Sequence, residues 1–200
     1  PIHAYARFKT DGRQHTAHPI LILETEFPSD PPGKSALAYE PITIAPNSEL
    51  ALWQVDVHRS VVAPNDGQTK TMPVGWLGSE PETRGSTALS NETLGCVNRS
   101  CITIHPPWHE GHVGTQWIEF PLKLPEVSPL RLQFVTGMTP GGKGDGVTFR
   151  VRVATGDAPR GTLGKVLFER HTAAKKWRKG AADLSEFAGQ RVTIVIGATN

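Results

Sequence analysis

The sequence predicts an all-β protein built as an antiparallel β-sandwich, with the jelly roll as the candidate arrangement. Seventeen prolines and 20 glycines interrupt the chain at roughly strand-length intervals. The segments between them alternate apolar and polar residues, which is typical of strands with one buried face. Amphipathic helices of useful length are absent from the pattern. We therefore expect a single β-sandwich module over residues 1–200, which is within the size of one β-rich domain.

The first half of the chain contains three predicted strands and one long region rich in turn residues. The clearest strand is at residues 20–23, and others are predicted at 39–44 and 50–62. The alternation in 50–62 changes phase near Trp53, which predicts a β-bulge. Residues 64–100 are expected to form a loop-rich excursion, typical of a binding loop or mobile segment, with a linker between two pieces as the alternative.

The second half is patterned more clearly. Alternation predicts strands at residues 101–105, 116–122, 130–136, 147–153, 165–171 and 191–196. The glycines of 141–146 predict a turn before the fourth of these strands. Residues 183–190 predict one short helical turn that begins with Asp183 as its cap.

Composition excludes several classes of partner. The 21 basic and 19 acidic residues leave a net charge of +2, too even for a dedicated nucleic-acid-binding protein. No segment approaches the roughly 18 consecutive apolar residues of a membrane helix. The N-terminal residues lack the layout of a signal peptide, so a start at Pro1 indicates a processed or trimmed chain. We expect a monomer that binds neither nucleic acid nor membrane.

The only two cysteines, Cys96 and Cys101, lie close together in a polar segment. This spacing predicts one small disulfide and therefore an oxidising compartment, which favours secretion. Two free thiols in a cytosolic protein are the alternative. A zinc site is disfavoured because the sequence has no second pair of ligands at suitable spacing. Two glycosylation triplets, at Asn91 and Asn98, are compatible with a surface loop.

Five short phrases occur in order between residues 101 and 196. They are EFP with LP at 119–125, GDGVTFRV at 144–151, LFERH at 167–171, KW at 176–177, and DLS with FAGQ at 183–190. In this order they resemble the galactose-binding-like β-sandwich modules, particularly the NPCBM-like domains appended to glycoside hydrolases and polysaccharide lyases. The resemblance implies a jelly roll, extracellular location and an accessory role in carbohydrate binding. It covers about half of the chain and implies no particular sugar.

Three tryptophans are candidates for stacking on a sugar ring, which needs a flat aromatic face beside polar groups for the hydroxyls. Trp108 follows two prolines in a polar loop, where a core residue would be out of place. Trp76 lies in the loop-rich region, and Trp177 is flanked by charged residues, although the resemblance favours packing for Trp177. Trp53 and Trp117 lie in strand patterns and are predicted to be core residues.

The concentrated basic segment of the chain is residues 170–179. Its Arg170, Lys176 and Arg178 could contact the carboxylates or sulfates of an acidic polysaccharide, since arginine binds such groups through two parallel hydrogen bonds. A solvated turn between strands is the alternative interpretation, and it is the one the pattern favours.

His105, His109 and His112 form a second candidate cluster around Trp108. Prolines at 106 and 107 and a glycine at 111 exclude a regular helix there, and the order of residues differs from the H-E-x-x-H of zinc proteases. The imidazoles could bind sugar hydroxyls or, less favourably, a metal in a loop site. Structural calcium is a separate hypothesis with Asp145 and Glu119 as nominal ligands, although no calcium-loop spacing is present.

No catalytic motif stands out. The chain has no G-x-S-x-G, and its glycine-rich 141–146 lacks the Lys-Ser/Thr ending of a phosphate-binding loop. The leading hypothesis is a non-catalytic carbohydrate-binding module of a secreted polysaccharide-degrading enzyme, with no cofactor. One alternative is a β-jelly-roll lyase or hydrolase that uses His105, His109 or His112. Another is a structural or interaction domain of a larger secreted protein.

Overall fold

A computed structural model describes residues 2–9, 41–46, 48–55, 58–142, 144–156 and 163–200. Within this part of the chain the backbone forms thirteen strands: β1 (Ile2–Lys9), β2 (Ile42–Thr43), β3 (Arg59–Pro64), β4 (Lys70–Val74), β5 (Gly78–Ser79), β6 (Ser86–Leu94), β7 (Val97–His105), β8 (Gly114–Lys123), β9 (Arg131–Met138), β10 (Val147–Thr155), β11 (Lys165–Thr172), β12 (Arg178–Asp183) and β13 (Arg191–Thr199). Short 3-10 helices occupy Leu52–Gln54, His109–Gly111 and Ser185–Phe187.

The strands form two sheets. The first sheet has six strands in the order β12-β9-β1-β7-β6-β5. The second sheet has seven strands: six lie in the order β11-β10-β13-β8-β3-β4, and the seventh, β2, pairs with one end of β8. Neighbouring strands pair antiparallel, apart from the short parallel pairing of β2 with β8. The predicted all-β, antiparallel class is therefore confirmed.

The two sheets pack face to face around one hydrophobic core. Phe120 and Ile194 of the seven-stranded sheet are in the same buried cluster as Ile104 and Leu132 of the six-stranded sheet. Strand β10 illustrates the cause, because its buried and half-buried residues alternate from Val147 onward. Fully burying each such side chain contributes about 1.5–3 kcal/mol, so the shared core holds the sheets together as a sandwich.

The strands predicted in the second half of the chain are confirmed. Residues 101–105 lie in β7, 116–122 in β8, 147–153 in β10, 165–171 in β11 and 191–196 in β13, and 131–136 of the strand predicted at 130–136 lie in β9. The predicted helical turn is the 3-10 helix Ser185–Phe187, but its N-cap is Leu184 and not Asp183 as predicted. The Asp183 carboxylate instead accepts a hydrogen bond from the Ser185 amide at 2.9 Å, one residue before the cap. Within the described residues, no helix has the length and apolar character needed to cross a membrane.

Predictions for the first half need more correction. The strand predicted at 20–23 lies outside the described residues, as do residues 39 and 40 of the one predicted at 39–44, where β2 is found. The single strand predicted at 50–62 is wrong, because the chain turns through the 3-10 helix Leu52–Gln54 and β3 begins only at Arg59. Residues 64–100 contain β4, β5, β6 and the start of β7 rather than mainly loops.

The predicted Cys96–Cys101 disulfide is wrong, since the structure contains no disulfide between these two cysteines. Cys96 lies in the turn between β6 and β7, whereas Cys101 lies within β7, paired with Ser90 of β6. An extended strand advances about 3.3 Å per residue, so Cys101 is roughly 13 Å from Val97, the residue that follows Cys96. A disulfide requires Cα atoms within about 7 Å, so the strand geometry prevents the bond.

Candidate ligand-binding surface at one end of the sandwich

Three loops meet at one end of the sandwich. They are the β3–β4 loop at 65–69, the β5–β6 loop at 80–85 and the β7–β8 loop at 106–113. Strand register brings them together, because β6 begins opposite the end of β7 (Ser86 beside His105) and β3 ends opposite the start of β8 (Pro64 beside Gly114). The histidine and tryptophan candidates of residues 105–112 are all at this end.

The β7–β8 loop is held in place by backbone and side-chain hydrogen bonds. The amides of Trp108 and His109 both donate to the Thr83 carbonyl, at 2.9 and 3.1 Å. The Asn200 side chain donates to the Pro107 carbonyl at 2.7 Å and accepts from the Gly114 amide at 2.9 Å. Because both ends and the middle of the loop are tied to other segments, the position of Trp108 is fixed by the fold.

Glu80 in turn fixes the loop that supplies the Thr83 carbonyl. One oxygen of its buried carboxylate accepts hydrogen bonds from the Thr83 amide and hydroxyl, each at 2.7 Å. The other oxygen is 2.8 Å from the Lys70 ammonium. Burial raises the pKa of the Glu80 carboxyl, but the Lys70 and Thr83 hydrogen bonds outweigh it and lower the pKa to about 2. Glu80 is therefore ionised at neutral pH, and it indirectly supports Trp108.

Trp108 is an exposed indole beside two imidazoles. Its side chain is 53% exposed, although tryptophan usually buries most of its surface. The indole centroid is 5.9 Å from that of His105 and 5.8 Å from that of His109, both in tilted or edge-on orientations. We call this set, together with His112 and Asp66, the Trp108 surface.

Two imidazoles of the Trp108 surface, those of His105 and His112, have pKa values shifted in opposite directions. Burial lowers the pKa of His105, which is therefore neutral at pH 7. Its Nδ1 lies 2.7 Å from the Pro106 carbonyl, which can only accept, so Nδ1 carries the proton and Nε2 is the acceptor nitrogen of the ring. The His112 Nδ1 is 3.0 Å from an Asp66 carboxylate oxygen. That hydrogen bond raises the pKa of His112 and lowers the pKa of Asp66.

The described residues do not support the metal-binding hypotheses. They contain no group of three or more His, Cys, Asp or Glu side chains positioned to hold a metal ion. The nominal calcium ligands are on separate elements, with Asp145 in the β9–β10 connection and Glu119 on β8. A Glu119 oxygen accepts a hydrogen bond from the Trp117 indole at 3.0 Å, within the sheet.

The other two tryptophans predicted to bind ligand, Trp76 and Trp177, belong to other segments of the chain. Trp76 is half-buried in the β4–β5 connection. Its ring lies against Gly78, because a Cβ at that position would be only 3.2–3.4 Å from the indole atoms. The Trp177 indole donates to the Val97 carbonyl at 2.8 Å, which is the opposite end of β7 from His105, roughly 26 Å along an extended strand. Both side chains have packing contacts of their own.

The basic segment also has structural contacts. The Arg170 guanidinium donates to the Lys179 carbonyl at 3.0 Å and lies 4.9 Å above the Phe168 ring, so it ties β11 to β12. Lys176 and Arg178 are exposed. Of the two tryptophans predicted to be core residues, Trp117 is buried, with 6% of its surface exposed, whereas Trp53 is only half-buried against the core.

Sequence reasoning missed the residues that support the Trp108 surface. Glu80, Thr83 and Asn200 act through long-range hydrogen bonds, and no local motif marks such contacts. Asp66 could have been found, since Asn-Asp-Gly at 65–67 is a strong turn signal that places a carboxylate at a loop tip. Its pairing with His112, however, depends on the fold.

Comparison with protein-family models, with curated proteins and with solved structures finds no match for this chain.

Proposed function

We propose that this chain binds carbohydrate without catalysis, through the Trp108 surface. The observation that carries the proposal is an indole, 53% exposed, on a loop fixed by Thr83 and Asn200. A rigid aromatic side chain loses little conformational entropy when a ligand stacks on it. Exposed aromatic area of this kind suits the C–H face of a sugar ring in water.

Polar groups around the indole suit sugar hydroxyls. The Nε2 of neutral His105 can accept a hydrogen bond, and the Asp66–His112 pair in the neighbouring loops offers both a carboxylate and an imidazole. The His109 ring is also beside the indole, with its side chain 38% exposed. A sugar stacked on Trp108 would therefore have imidazoles near it as hydrogen-bonding partners.

The finer fold type and biological setting are part of the same proposal. We place the sandwich among galactose-binding-like jelly rolls, as an accessory module of a secreted polysaccharide-degrading enzyme. This rests on the order of the phrases in residues 101–196 and on the two-sheet antiparallel architecture. Because no disulfide joins Cys96 and Cys101, the cysteines no longer support an oxidising compartment, and secretion rests on the resemblance alone.

Affinity electrophoresis on a panel of neutral and acidic polysaccharides tests the function. We expect retardation on at least one polysaccharide and no release of product from it. Trp108→Ala should weaken binding roughly thirtyfold, because losing a stacked aromatic side chain costs about 2 kcal/mol. Val113→Ala is the matched control, since Val113 is 47% exposed in the same loop and should bind as the parent chain does.

Thermal unfolding separates loss of a contact from loss of the fold. Because Trp108 is largely exposed, Trp108→Ala should keep the melting temperature within about 2 °C of the parent. Product release would favour the lyase or hydrolase alternative. Absence of retardation on every polysaccharide, or unchanged binding by Trp108→Ala, would contradict the proposal.

A further inference from the structure

The outer face of the seven-stranded sheet carries a depression that is separate from the Trp108 surface. It encloses about 320 Å³, including its open mouth. The residues that line it include Thr115, Trp117, Arg150, Arg152, Leu163 and Thr199.

The floor of the depression is apolar and rigid. Trp117 packs with Val61 and Val195 in a small buried cluster outside the main core, and half-buried Leu163 packs against it. Gly197 of β13 is paired with Trp117 of β8 and leaves room for the Trp117 side chain, because a Cβ at Gly197 would lie 2.9 Å from the Trp117 Cβ. The indole N–H is already bonded to Glu119, so the ring is held against the sheet.

Two arginines on β10 line the same depression, and their contacts differ. Arg150 is fully engaged, since it donates to the Glu169 carboxylate at 2.5 Å and to the Thr199 hydroxyl at 2.9 Å. Arg152 follows on the same face of β10 and is half-buried. Of the described residues, none forms an ion pair or hydrogen bond with its guanidinium. A partly desolvated cation without a counter-charge is unfavourable, and an anion beside it would be stabilised.

We propose that this depression binds a small ligand through an oxyanion, either a carboxylate or a sulfate ester, with Arg152 as its main partner. The planar guanidinium fork matches both groups through two parallel hydrogen bonds. The hydroxyls of Thr115 and Thr199, 2.9 Å apart, lie in the same lining and supply further polar contacts. The apolar part of the ligand rests on the Trp117 and Leu163 side. This inference does not rest on carbohydrate binding at Trp108.

Titration of the ¹⁵N-labelled 200-residue chain by NMR tests the site, with the Trp117 indole N–H as a reporter. The probes are D-galacturonate, D-galactose 6-sulfate and neutral D-galactose, which share one ring and differ in charge. We expect one or both anionic sugars to shift the Trp117 signal with saturation, and galactose to leave it unmoved. A response to only one anionic sugar identifies the oxyanion as carboxylate or sulfate.

Variants assign the effect to Arg152. Arg152→Gln should weaken binding at least tenfold, and Arg152→Lys, which keeps the charge but loses the fork, should fall between it and the parent. Arg131→Gln is the control, because Arg131 is exposed on β9 of the other sheet and should bind normally. Trp108→Ala should leave this titration unchanged. The proposal is overturned if no probe shifts Trp117, if galactose binds equally, or if Arg152→Gln binds as well as the parent.

Discussion

At the scale of single residues, the two cysteines are chemically unlike although they are near neighbours in sequence. Cys101 is 1% exposed, and burial raises the pKa of its thiol to about 11, opposed by a hydrogen bond with Ser90 and assisted by the Glu92 charge. Cys96 is exposed in a turn, in the left-handed region at φ 65°. Since the thiolate is the reactive form, only Cys96 is both accessible and able to react.

Thiol titration with a colorimetric disulfide reagent at pH 8 follows directly. We expect one thiol per native chain to react quickly and a second to react only after denaturation. Cys96→Ser should abolish the fast phase and keep the slow one. If the denatured, unreduced chain had no reactive thiol, the two cysteines would be joined in a disulfide and the free-thiol structure would be wrong.

At the scale of the element, the β5–β6 loop depends on the ionised form of one carboxyl. The pKa of Glu80 falls from 4.5 to about 2 on folding, with Lys70 and Thr83 as the stabilising partners. At about 1.4 kcal/mol per pKa unit, the ionised form contributes up to about 3 kcal/mol. A lowered folded-state pKa means that this stability is complete above pH 4.5 and is lost as the pH falls toward 2.

The pH dependence of urea unfolding measures this contribution. The free energy of unfolding of the parent should decrease between pH 4.5 and 2, by more than it does for Glu80→Gln over the same interval. At pH 7 the variant should be less stable by about 1–3 kcal/mol, because the amide cannot pair with Lys70 as an ion. Glu82→Gln is the control, since Glu82 meets Lys70 with a side chain that is 75% exposed. Equal acid slopes for Glu80→Gln and the parent would contradict this role.

The burial pattern of each strand decides whether the sequence could predict it. Strand β10 buries one face along most of its length, and β9 alternates buried and exposed residues from Arg131 to Phe134, so the sequence predicts both strands to within about two residues. Strand β6 was missed because most of its nine residues are polar and only Thr87 and Leu94 are buried. Its strand character comes from pairing with β7, which is a long-range interaction that periodicity cannot detect.

For the candidate site, the sequence predicts the exposed Trp108 but not the residues whose hydrogen bonds hold its loop in place. Two prolines ahead of Trp108 mark a loop, and loops lie at the surface, so its exposure was predictable. The Thr83 carbonyl and the Asn200 amide that hold the loop are distant in sequence. The depression beside Arg152 was also missed, because it is lined by residues of β8, β10 and β13, and the order of these strands in the sheet cannot be read from their alternation.

At the scale of the whole molecule, one glycine lets three distant segments meet outside the main core. A Cβ at Gly137 of β9 would lie 2.7 Å from Leu94, at the end of β6, and 2.8 Å from the Lys176 carbonyl. Lys176 belongs to the connection that carries the chain from β11 in one sheet to β12 in the other. The Trp177–Val97 hydrogen bond joins the same connection to the β6–β7 hairpin.

Gly137→Ala should therefore destabilise the chain far more than a methyl group ordinarily does. The contacts with Leu94 and Lys176 leave no room for a Cβ, and overpacking of this kind costs about 1–3 kcal/mol, or roughly 2–12 °C in melting temperature. Gly141→Ala is the matched control, since a Cβ there meets nothing within 4 Å, and it should melt at or slightly above the parent temperature. Because Gly137 lines neither the depression nor the Trp108 surface, both ligand titrations should persist below the lowered melting temperature. Equal melting temperatures for the two alanine variants would mean that the hairpin and the connection do not pack on β9 as closely as described.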